Sequence, residues 1–246
     1  MEIVTPKIEV IAYTALAADS SGKMVIESDM NIDPDSTDAE ALISRAGRGC
    51  YESYDRPNPA TAKDADYIQR TAFDMAHGSI LEHANFTLRF SGVSRAWLME
   101  MERHRHLSWS VVSQRYVDAN TFGVVMPPAI RERMEDGLIH QDDIEHWKTS
   151  VEHSMIQCED TYFNLTEDLA LPRKQAREAA RSVLPNATEV RGVVTGNLRA
   201  WSTILPLRAH PSADREMQEV SMLILDALEP FAPTVTANIR RTIEES

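Results

Sequence analysis

The sequence has little of what marks secreted, metal-binding or membrane proteins. Its two cysteines, Cys50 and Cys158, lie far apart without ligand-like spacing, so we expect neither a disulfide framework nor a metal site. No apolar run approaches the roughly 20 residues that span a bilayer. Residues 1–6 carry neither a basic segment nor an apolar signal core. We therefore expect a cytoplasmic protein with no membrane partner.

Positive charge is also scarce. The chain has 25 lysines and arginines against 38 acidic residues, which gives a formal net charge of −13. A nucleic-acid duplex or an acidic membrane would call for a broad basic face, so neither is the expected partner. A few arginines can still form a local positive pocket for a small anion on an acidic protein.

The 246 residues show no repeat and no linker, and they predict a single domain over residues 1–246. Strands are predicted at residues 8–16, 85–90 and 190–195, with β-forming residues at 116–126 and a loop at 55–59. Helices are predicted around residues 41–46 and over 61–76, 94–105, 142–169, 172–184, 197–205 and 214–228. This order of elements indicates an α+β fold, with an antiparallel or mixed sheet flanked by helical bundles.

Residues 103–116 form the densest basic cluster. Three arginines, two histidines and three serines lie within these fourteen residues. A guanidinium group binds phosphate through paired donors, and serine hydroxyls and backbone N–H groups complete such sites. The alternative is a solvated basic turn at a helix end, which would account for one or two basic residues but not for this density. The cluster favours an anion-binding site.

Residues 77–83 form a second cluster with two open interpretations. Gly78 lies between His77 and Ser79, so the backbone could approach a cofactor closely. Alternatively, Gly78 is a helix C-cap and Ser79 caps the next short helix. The residues alone slightly favour the second interpretation.

Two further clusters are basic stretches in predicted helices. Arg173, Arg177 and Arg181 recur at four-residue spacing, so they share a helix face and repel one another unless acids or a bound anion neutralise them. Asn197 follows a predicted strand, where capping a helix explains it about as well as a ligand contact does. Arg208 lies near a helix end, where arginine is common.

Taken together, the four clusters resemble the flavin-dependent thymidylate synthase family. The family signature is Arg-His-Arg, seven residues and then Ser, which matches Arg103-His104-Arg105 and Ser113. Residues 77–83, 173–189 and 194–201 are equally family-like and stand in the same order. Four matching blocks in order are a strong signal, whereas a lone Arg-His-Arg would be a weak one.

The resemblance implies a homotetramer that holds FAD between subunits and converts dUMP to dTMP with methylenetetrahydrofolate and NADPH. No enzyme thiolate serves as the essential nucleophile in this family. Instead Arg208 matches the arginine that favours ionisation at N3 of uracil, which makes it the implied catalytic residue. The residues that match substrate-binding positions are Glu100, Arg103, Val111, Ser113, Gln114, Arg115, Arg181 and Arg208. Those that match flavin-binding positions are His77, Ser79, Arg103, His104, Arg105, Asn197, Arg199 and Thr203.

Three positions depart from the family pattern. Val111 stands where Gln or Glu is usual beside the nucleotide, and Thr203 stands where His or Asn is usual on the flavin-binding helix. Glu102 replaces an apolar residue before the signature. Because valine removes a polar partner and leaves space near the sugar, we expect the enzyme to accept UMP as well as dUMP, as relatives in nucleoside-antibiotic pathways do.

Three rival functions stay open at this point. The first is an ordinary synthase that acts only on dUMP and supplies DNA precursors. The second is a non-catalytic nucleotide-binding protein that kept only the phosphate site. The third, an RNA-binding protein that uses the arginine clusters, is disfavoured by the net charge.

Overall fold

The computed structural model describes residues 2–22, 24–25, 33–55 and 62–246. The strands are β1 (Ile3–Val4), β2 (Lys7–Tyr13), β3 (Asn85–Ser94), β4 (Ser108–Val111), β5 (Val124–Val125) and β6 (Glu189–Asn197). The α-helices are α1 (Asp38–Gly49), α2 (Asp64–Ile68), α3 (Arg95–Met101), α4 (Pro128–Glu135), α5 (Gln141–Glu167), α6 (Arg173–Ala180), α7 (Leu198–Ala209), α8 (Arg215–Leu228) and α9 (Pro233–Glu244). A four-stranded sheet has the order β2-β3-β6-β4, and β1 pairs in parallel with β5.

The chain divides into two compact units. Unit 1 comprises Met1–Lys7, Arg89–Arg105 and Trp109–Val193, and unit 2 comprises Ile8–Leu88, His106–Ser108 and Val194–Ser246. Aromatic side chains organise the core of unit 1, where the rings of Phe90, Trp97 and Trp109 lie within 6.0 Å of one another. The core of unit 2 is built from large, fully buried side chains on β3 and its helices, among them Trp201, Phe86, Ile43, Leu205 and Ile224. The prediction of a single domain stays a prediction.

Helix starts follow the expected capping chemistry. Thr37 accepts a hydrogen bond from the Glu40 N–H at the start of α1, and Ser94 accepts one from the Trp97 N–H at the start of α3. Asn197 and Asp214 cap α7 and α8 in the same way. The predictions of α5 and α8 are confirmed within two residues, and the helix predicted around residues 41–46 is confirmed inside the longer α1.

The predicted helix over residues 61–76 is only partly correct, and its start at residue 61 lies outside the described residues, as do residues 56–59 of the predicted loop. The chain is α-helical over α2 and then π-helical over Gln69–Asp74. The left-handed residue that ends it is Ala76, with φ of 57°, so the prediction of Gly78 as a C-cap is wrong. Gly78 instead begins a 3₁₀ helix, Gly78–His83, whose N-cap position is His77, and Ser79 does not cap it.

The stretch around the basic signature also differs from prediction. The helix predicted over residues 94–105 ends at Met101 because the chain turns there towards β4, and the Arg-His-Arg run therefore lies in turns. The β-forming stretch at 116–126 folds mostly as a turn and a 3₁₀ helix, Ala119–Thr121, with only β5 as strand. Both strands β3 and β6 extend beyond their predicted ends, and β2 stops earlier than predicted.

Prolines lie at most of the other differences. Pro172 occupies the N-cap position before α6 rather than its first turn, and α6 gives way to a 3₁₀ helix, Arg181–Val183. Helix α7 continues past its predicted end, through Pro206, to Ala209. Helices α4 and α9 were not predicted, although each begins with a proline in its first turn, which is a recognised start signal.

Candidate functional site

The residues singled out from the sequence fall into two groups, one in each unit. Unit 1 holds Glu100, Arg103, His104, Arg105, Val111, Ser113, Gln114, Arg115 and Arg181. Unit 2 holds His77, Ser79, Asn197, Arg199, Thr203 and Arg208.

The segment after β4, residues 113–118, is fastened to one face of α6. Arg177 is almost fully buried, and it donates hydrogen bonds to the Tyr116 carbonyl and, at 2.8 Å, to the Asp118 carboxylate. The Arg115 guanidinium lies 3.2 Å from the Glu178 carboxylate. Lys174 lies over the Tyr116 ring and hydrogen-bonds its hydroxyl, which lowers the pKa of Tyr116. The face of α6 thus fixes the end of the signature through charged contacts.

A cavity of about 240 Å³ lies in unit 1 beside this segment. Gln114 and Arg181, which are distant in sequence, both line it, and Arg177 and Asp118 contribute to its wall. The rest of the lining comes from α5, α6 and the 3₁₀ turns, and it is mostly apolar except for Asn120 and Glu159: Ala119, Cys158, Tyr162, Phe163, Ala180 and Leu184. The structure therefore brings the predicted residues Gln114 and Arg181 together.

The charges around this cavity are unevenly balanced. Arg177 and Arg115 each have a carboxylate partner, Asp118 and Glu178. Arg181 forms no ion pair with any residue that the structure describes. Glu159 lines the same cavity but forms no ion pair with Arg181, so the Arg181 guanidinium can still attract a bound anion.

The first half of the signature is more exposed. The Arg103 guanidinium lies 3.6 Å from the Glu100 carboxylate, and the Arg103 side chain is 72% exposed. Arg105 is exposed and His104 is half-buried. Cationic groups that reach solvent in this way are available to a ligand or to a second protein surface.

The predicted turn at His77 in unit 2 is shaped by a close approach between two segments. A Cβ atom added to Gly78 would lie 1.5 Å from Nη1 of Arg199, so only glycine lets this guanidinium lie against the turn. Ser79 and His77 are exposed next to it. The structure thus brings together the predicted flavin residues of the turn and of α7, and this favours the cofactor interpretation over the C-cap alternative.

The remaining predicted residues lie on α7. The Asn197 side chain accepts a hydrogen bond from the Ala200 N–H at 2.8 Å, so the capping role considered for it is confirmed. The Thr203 hydroxyl donates to the Arg199 carbonyl at 3.1 Å, within its own helix. Arg208 is half-buried in the last turn of α7.

One site residue was missed by sequence reasoning. Arg95 lies at the start of α3, and its Nη1 donates to Oε1 of Gln114 at 3.0 Å. It was placed inside a longer predicted helix, where a single arginine gives no signal. Its proximity to the signature is visible only in the folded chain.

Among the residues that the structure describes, no group of three or more His, Cys, Asp and Glu side chains could hold a metal ion. Within the same described ranges, no helix is both long enough and apolar enough to cross a membrane.

Comparison with known proteins gives consistent matches. Residues 34–234 match the thymidylate synthase complementing protein family. A probable flavin-dependent thymidylate synthase of Mycobacterium phage L5 is 46% identical over 202 residues, which cover 82% of this chain and 81% of the phage protein. The flavin-dependent thymidylate synthase of Mycobacteroides abscessus is 39% identical over 219 residues, which cover 87% of each chain.

A solved structure supports the fold. Thymidylate synthase X (ThyX) from Helicobacter pylori, crystallised with FAD and dUMP, superposes with a TM-score of 0.64 at 21% identity, and the match covers 95% of this chain and 98% of that chain. The α+β fold and the relatives define an enzyme of the flavin-dependent thymidylate synthase type. The chain belongs to the thymidylate synthase complementing protein family. The family, the fold class and the enzyme class predicted from the sequence are confirmed.

Proposed function

We propose that this enzyme converts dUMP to dTMP and uses FAD as its bound cofactor. In the balanced reaction, dUMP, methylenetetrahydrofolate, NADPH and a proton give dTMP, tetrahydrofolate and NADP⁺. The observation that carries the proposal is the convergence of Gln114 and Arg181 on one cavity beside the signature segment. We place the reaction in the cytoplasm, because its co-substrates are metabolites of that compartment.

The nucleotide phosphate is assigned to the unpaired positive charge of unit 1. Arg181 supplies a cation that forms no ion pair with a described acid, and the Arg115 guanidinium is oriented by Glu178. Ser113 and Gln114 precede Arg115 on a segment that α6 holds in place. Arg103 and Glu100, which form a pair at 3.6 Å, are assigned to the same nucleotide. Preorganised donors bind a phosphate without first having to be ordered.

Arg208 is assigned to the uracil ring. A guanidinium near N3 and its neighbouring carbonyl stabilises the anion formed when N3 loses its proton, which raises the electron density at C5. Carbon 5 can then attack the one-carbon unit without a thiolate from the enzyme. The buried thiol of Cys158 fits this scheme, because burial raises its pKa and so disfavours the reactive thiolate.

The turn at Gly78 and the start of α7 fit a flavin dinucleotide. Arg199 is an exposed guanidinium held against an exposed turn, and guanidinium groups bind pyrophosphate through paired donors. Ser79 adds a hydroxyl donor and His77 an imidazole, while Asn197 caps α7 and Thr203 lies midway along this helix. Arg103, His104 and Arg105 are assigned to the same cofactor by resemblance. When bound and reduced, the flavin supplies the two electrons that turn the transferred one-carbon unit into a methyl group.

A homotetramer is supported by the surface of α5. The buried side chains of this 27-residue helix, Ile144, Val151 and Cys158, follow a seven-residue spacing. On other faces Ile156 and Phe163 are 46% and 63% exposed. Large exposed apolar side chains on a long helix are typical of a protein interface. Light scattering of the purified protein tests this assembly, and a monomer of 27.7 kDa would contradict it.

UMP is proposed as a second substrate, on the evidence of Val111. This residue ends β4 two positions before Ser113 and is half-buried. An aliphatic side chain there offers no partner to a polar group of the sugar, and an apolar pocket rejects an added hydroxyl only weakly. The alternative, a strict dUMP enzyme for DNA precursors, predicts no turnover of UMP. Val111→Gln should then shift any dual activity towards dUMP.

One experiment separates these functions. The purified protein is tested for a yellow, releasable flavin and then for methylation of dUMP and UMP with methylenetetrahydrofolate and NADPH. A flavin spectrum with dTMP formation is the expected result, and Arg208→Met should lower turnover by about a hundredfold while flavin is retained. A colourless protein that binds dUMP without turnover would instead favour the non-catalytic nucleotide-binding protein.

A further inference from the structure

Arg95 lies beside the proposed phosphate site, although neither the family signature nor the other three sequence clusters include it. It is half-buried at the start of α3, and its guanidinium donates to the Gln114 side chain at 3.0 Å. The pKa of Arg95 is lowered, first by burial and then by the nearby positive charge of Arg181. Gln114, Arg95 and Arg181 therefore form one group in unit 1.

The charge balance of this group is unusual. Arg115 and Arg177 are offset by Glu178 and Asp118. Arg95 has only the neutral Gln114 as its partner, and neither it nor Arg181 forms an ion pair with a residue that the structure describes. Holding two like charges together in a half-buried place costs free energy unless an anion joins them.

A phosphate monoester would balance the positive charge of this group. The guanidinium groups of Arg95 and Arg181, which form no ion pair with a described residue, supply two positive charges, and a phosphate monoester carries about −1.5 to −2 at pH 7. We propose that Arg95 is a direct ligand of the nucleotide phosphate and shares it with Arg181, so that it sets the preference for a nucleotide over a nucleoside. This inference rests on the proposed function, which supplies the nucleotide.

A purely structural role for Arg95 makes different predictions. If Arg95 served only to hold Gln114, Arg95→Met would weaken dUMP binding no further once Gln114 is already replaced. If Arg95 binds the phosphate itself, Arg95→Met should weaken dUMP binding in the Gln114→Leu background as well. The double variant therefore separates the charge of Arg95 from its positioning of Gln114.

The test measures the binding of dUMP and of deoxyuridine by titration for the wild type, Arg95→Met, Arg95→Lys, Gln114→Leu and the double variant Arg95→Met/Gln114→Leu. Arg95→Met should weaken dUMP binding tenfold or more, leave deoxyuridine binding within twofold and keep the flavin content of the wild type. Arg95→Lys should recover part of the loss. Arg191→Met serves as a control, because Arg191 is a half-buried arginine of unit 1 whose guanidinium already donates a hydrogen bond to the Thr121 carbonyl at 2.6 Å. It should leave the ratio of dUMP to deoxyuridine binding unchanged.

Two results would overturn the inference. One is an equal loss of dUMP and deoxyuridine binding in Arg95→Met, and the other is a double variant Arg95→Met/Gln114→Leu that binds dUMP as well as Gln114→Leu does. A second measurement does not depend on the reaction: inorganic phosphate should raise the melting temperature of the wild type more than that of Arg95→Met, and equal increases would contradict the inference. Failure of the proposed function would appear as a wild type without flavin and without turnover of dUMP, and the phosphate arm would still test Arg95.

Discussion

The turn at Gly78 in unit 2 and the segment at residues 113–118 in unit 1 are both assigned to ligands, but they are built in different ways. The turn owes its shape to a missing side chain, because Arg199 occupies the place of the Gly78 Cβ atom. The segment owes its position to charged side chains of α6. The structure of the turn should therefore be disturbed by added atoms, whereas the position of the segment should be disturbed by the removal of charged side chains.

The effect of adding a Cβ atom to a glycine depends on which atom it would meet. At Gly78 the added Cβ would meet the end of the flexible Arg199 side chain, which can move away. At Gly92, in unit 1, it is the backbone carbonyl oxygen of Thr5, only 1.9 Å from an added Cβ, and the backbone φ is +67°. Gly92 is thus a glycine that the fold requires, while Gly78 leaves room for the Arg199 side chain of the proposed flavin site.

The largest effect is therefore expected for Gly92→Ala. The substitution adds a carbon where backbone must shift, in a left-handed conformation that alanine disfavours, and it should cost about 3 kcal/mol of unfolding free energy. Chemical unfolding followed by circular dichroism measures this loss. A variant as stable as the wild type would show that unit 1 tolerates added atoms as well as unit 2 does.

Arg177→Met should have the next largest effect, because it removes the buried guanidinium group that joins α6 to the segment at residues 113–118. The Tyr116 carbonyl and the Asp118 carboxylate lose their donors, which should cost about 2 kcal/mol and raise the KM for dUMP. The matched control is Arg173→Met, an exposed arginine four residues earlier that should change neither quantity. If both variants behave alike, charge does not hold the segment.

Gly78→Ala should alter cofactor binding rather than stability. Displacing the Arg199 guanidinium should weaken flavin binding about tenfold, while unfolding free energy changes by less than about 1 kcal/mol. Flavin titration of the apoprotein measures this. Arg199→Met should show a similar loss, and the double variant should lose little more, because both changes act on one contact. Additive losses would mean that Gly78 contributes independently of Arg199.

These contrasts also show what sequence reasoning could and could not supply. Local signals were sufficient for α8 and for the cap at Asn197, since capping and helical periodicity depend on neighbouring residues. The basic clusters at residues 103–116 and 173–181 were visible in the sequence, and the first of them predicted an anion-binding site. The contact of Gly78 with Arg199 and that of Arg95 with Gln114 join segments distant in sequence, so no local pattern could reveal them.

Buried carboxyl groups that the sequence did not reveal also occur outside both proposed sites. Replacing one of them should have the smallest effect on stability. Asp64 and Glu40 are buried in unit 2, and burial is the main reason that the pKa of each is raised. For Asp64 the hydroxyls of Ser44 and Ser36 and the positive charge of Arg48 oppose this shift, while Asp33 adds to it.

A carboxyl group with a raised pKa in the folded state holds its proton longer than it does in the unfolded chain. Stability from this group is therefore greatest at low pH, falls as pH rises from about 4, and levels off above the folded pKa. Asp64→Asn cannot ionise, so the stability difference between variant and wild type should shift in favour of the variant from pH 4 to pH 7. Unfolding free energies at both values measure this shift, with the exposed Asp66→Asn as control. A difference that stays constant with pH would mean that Asp64 ionises as easily in the folded protein as in the unfolded chain.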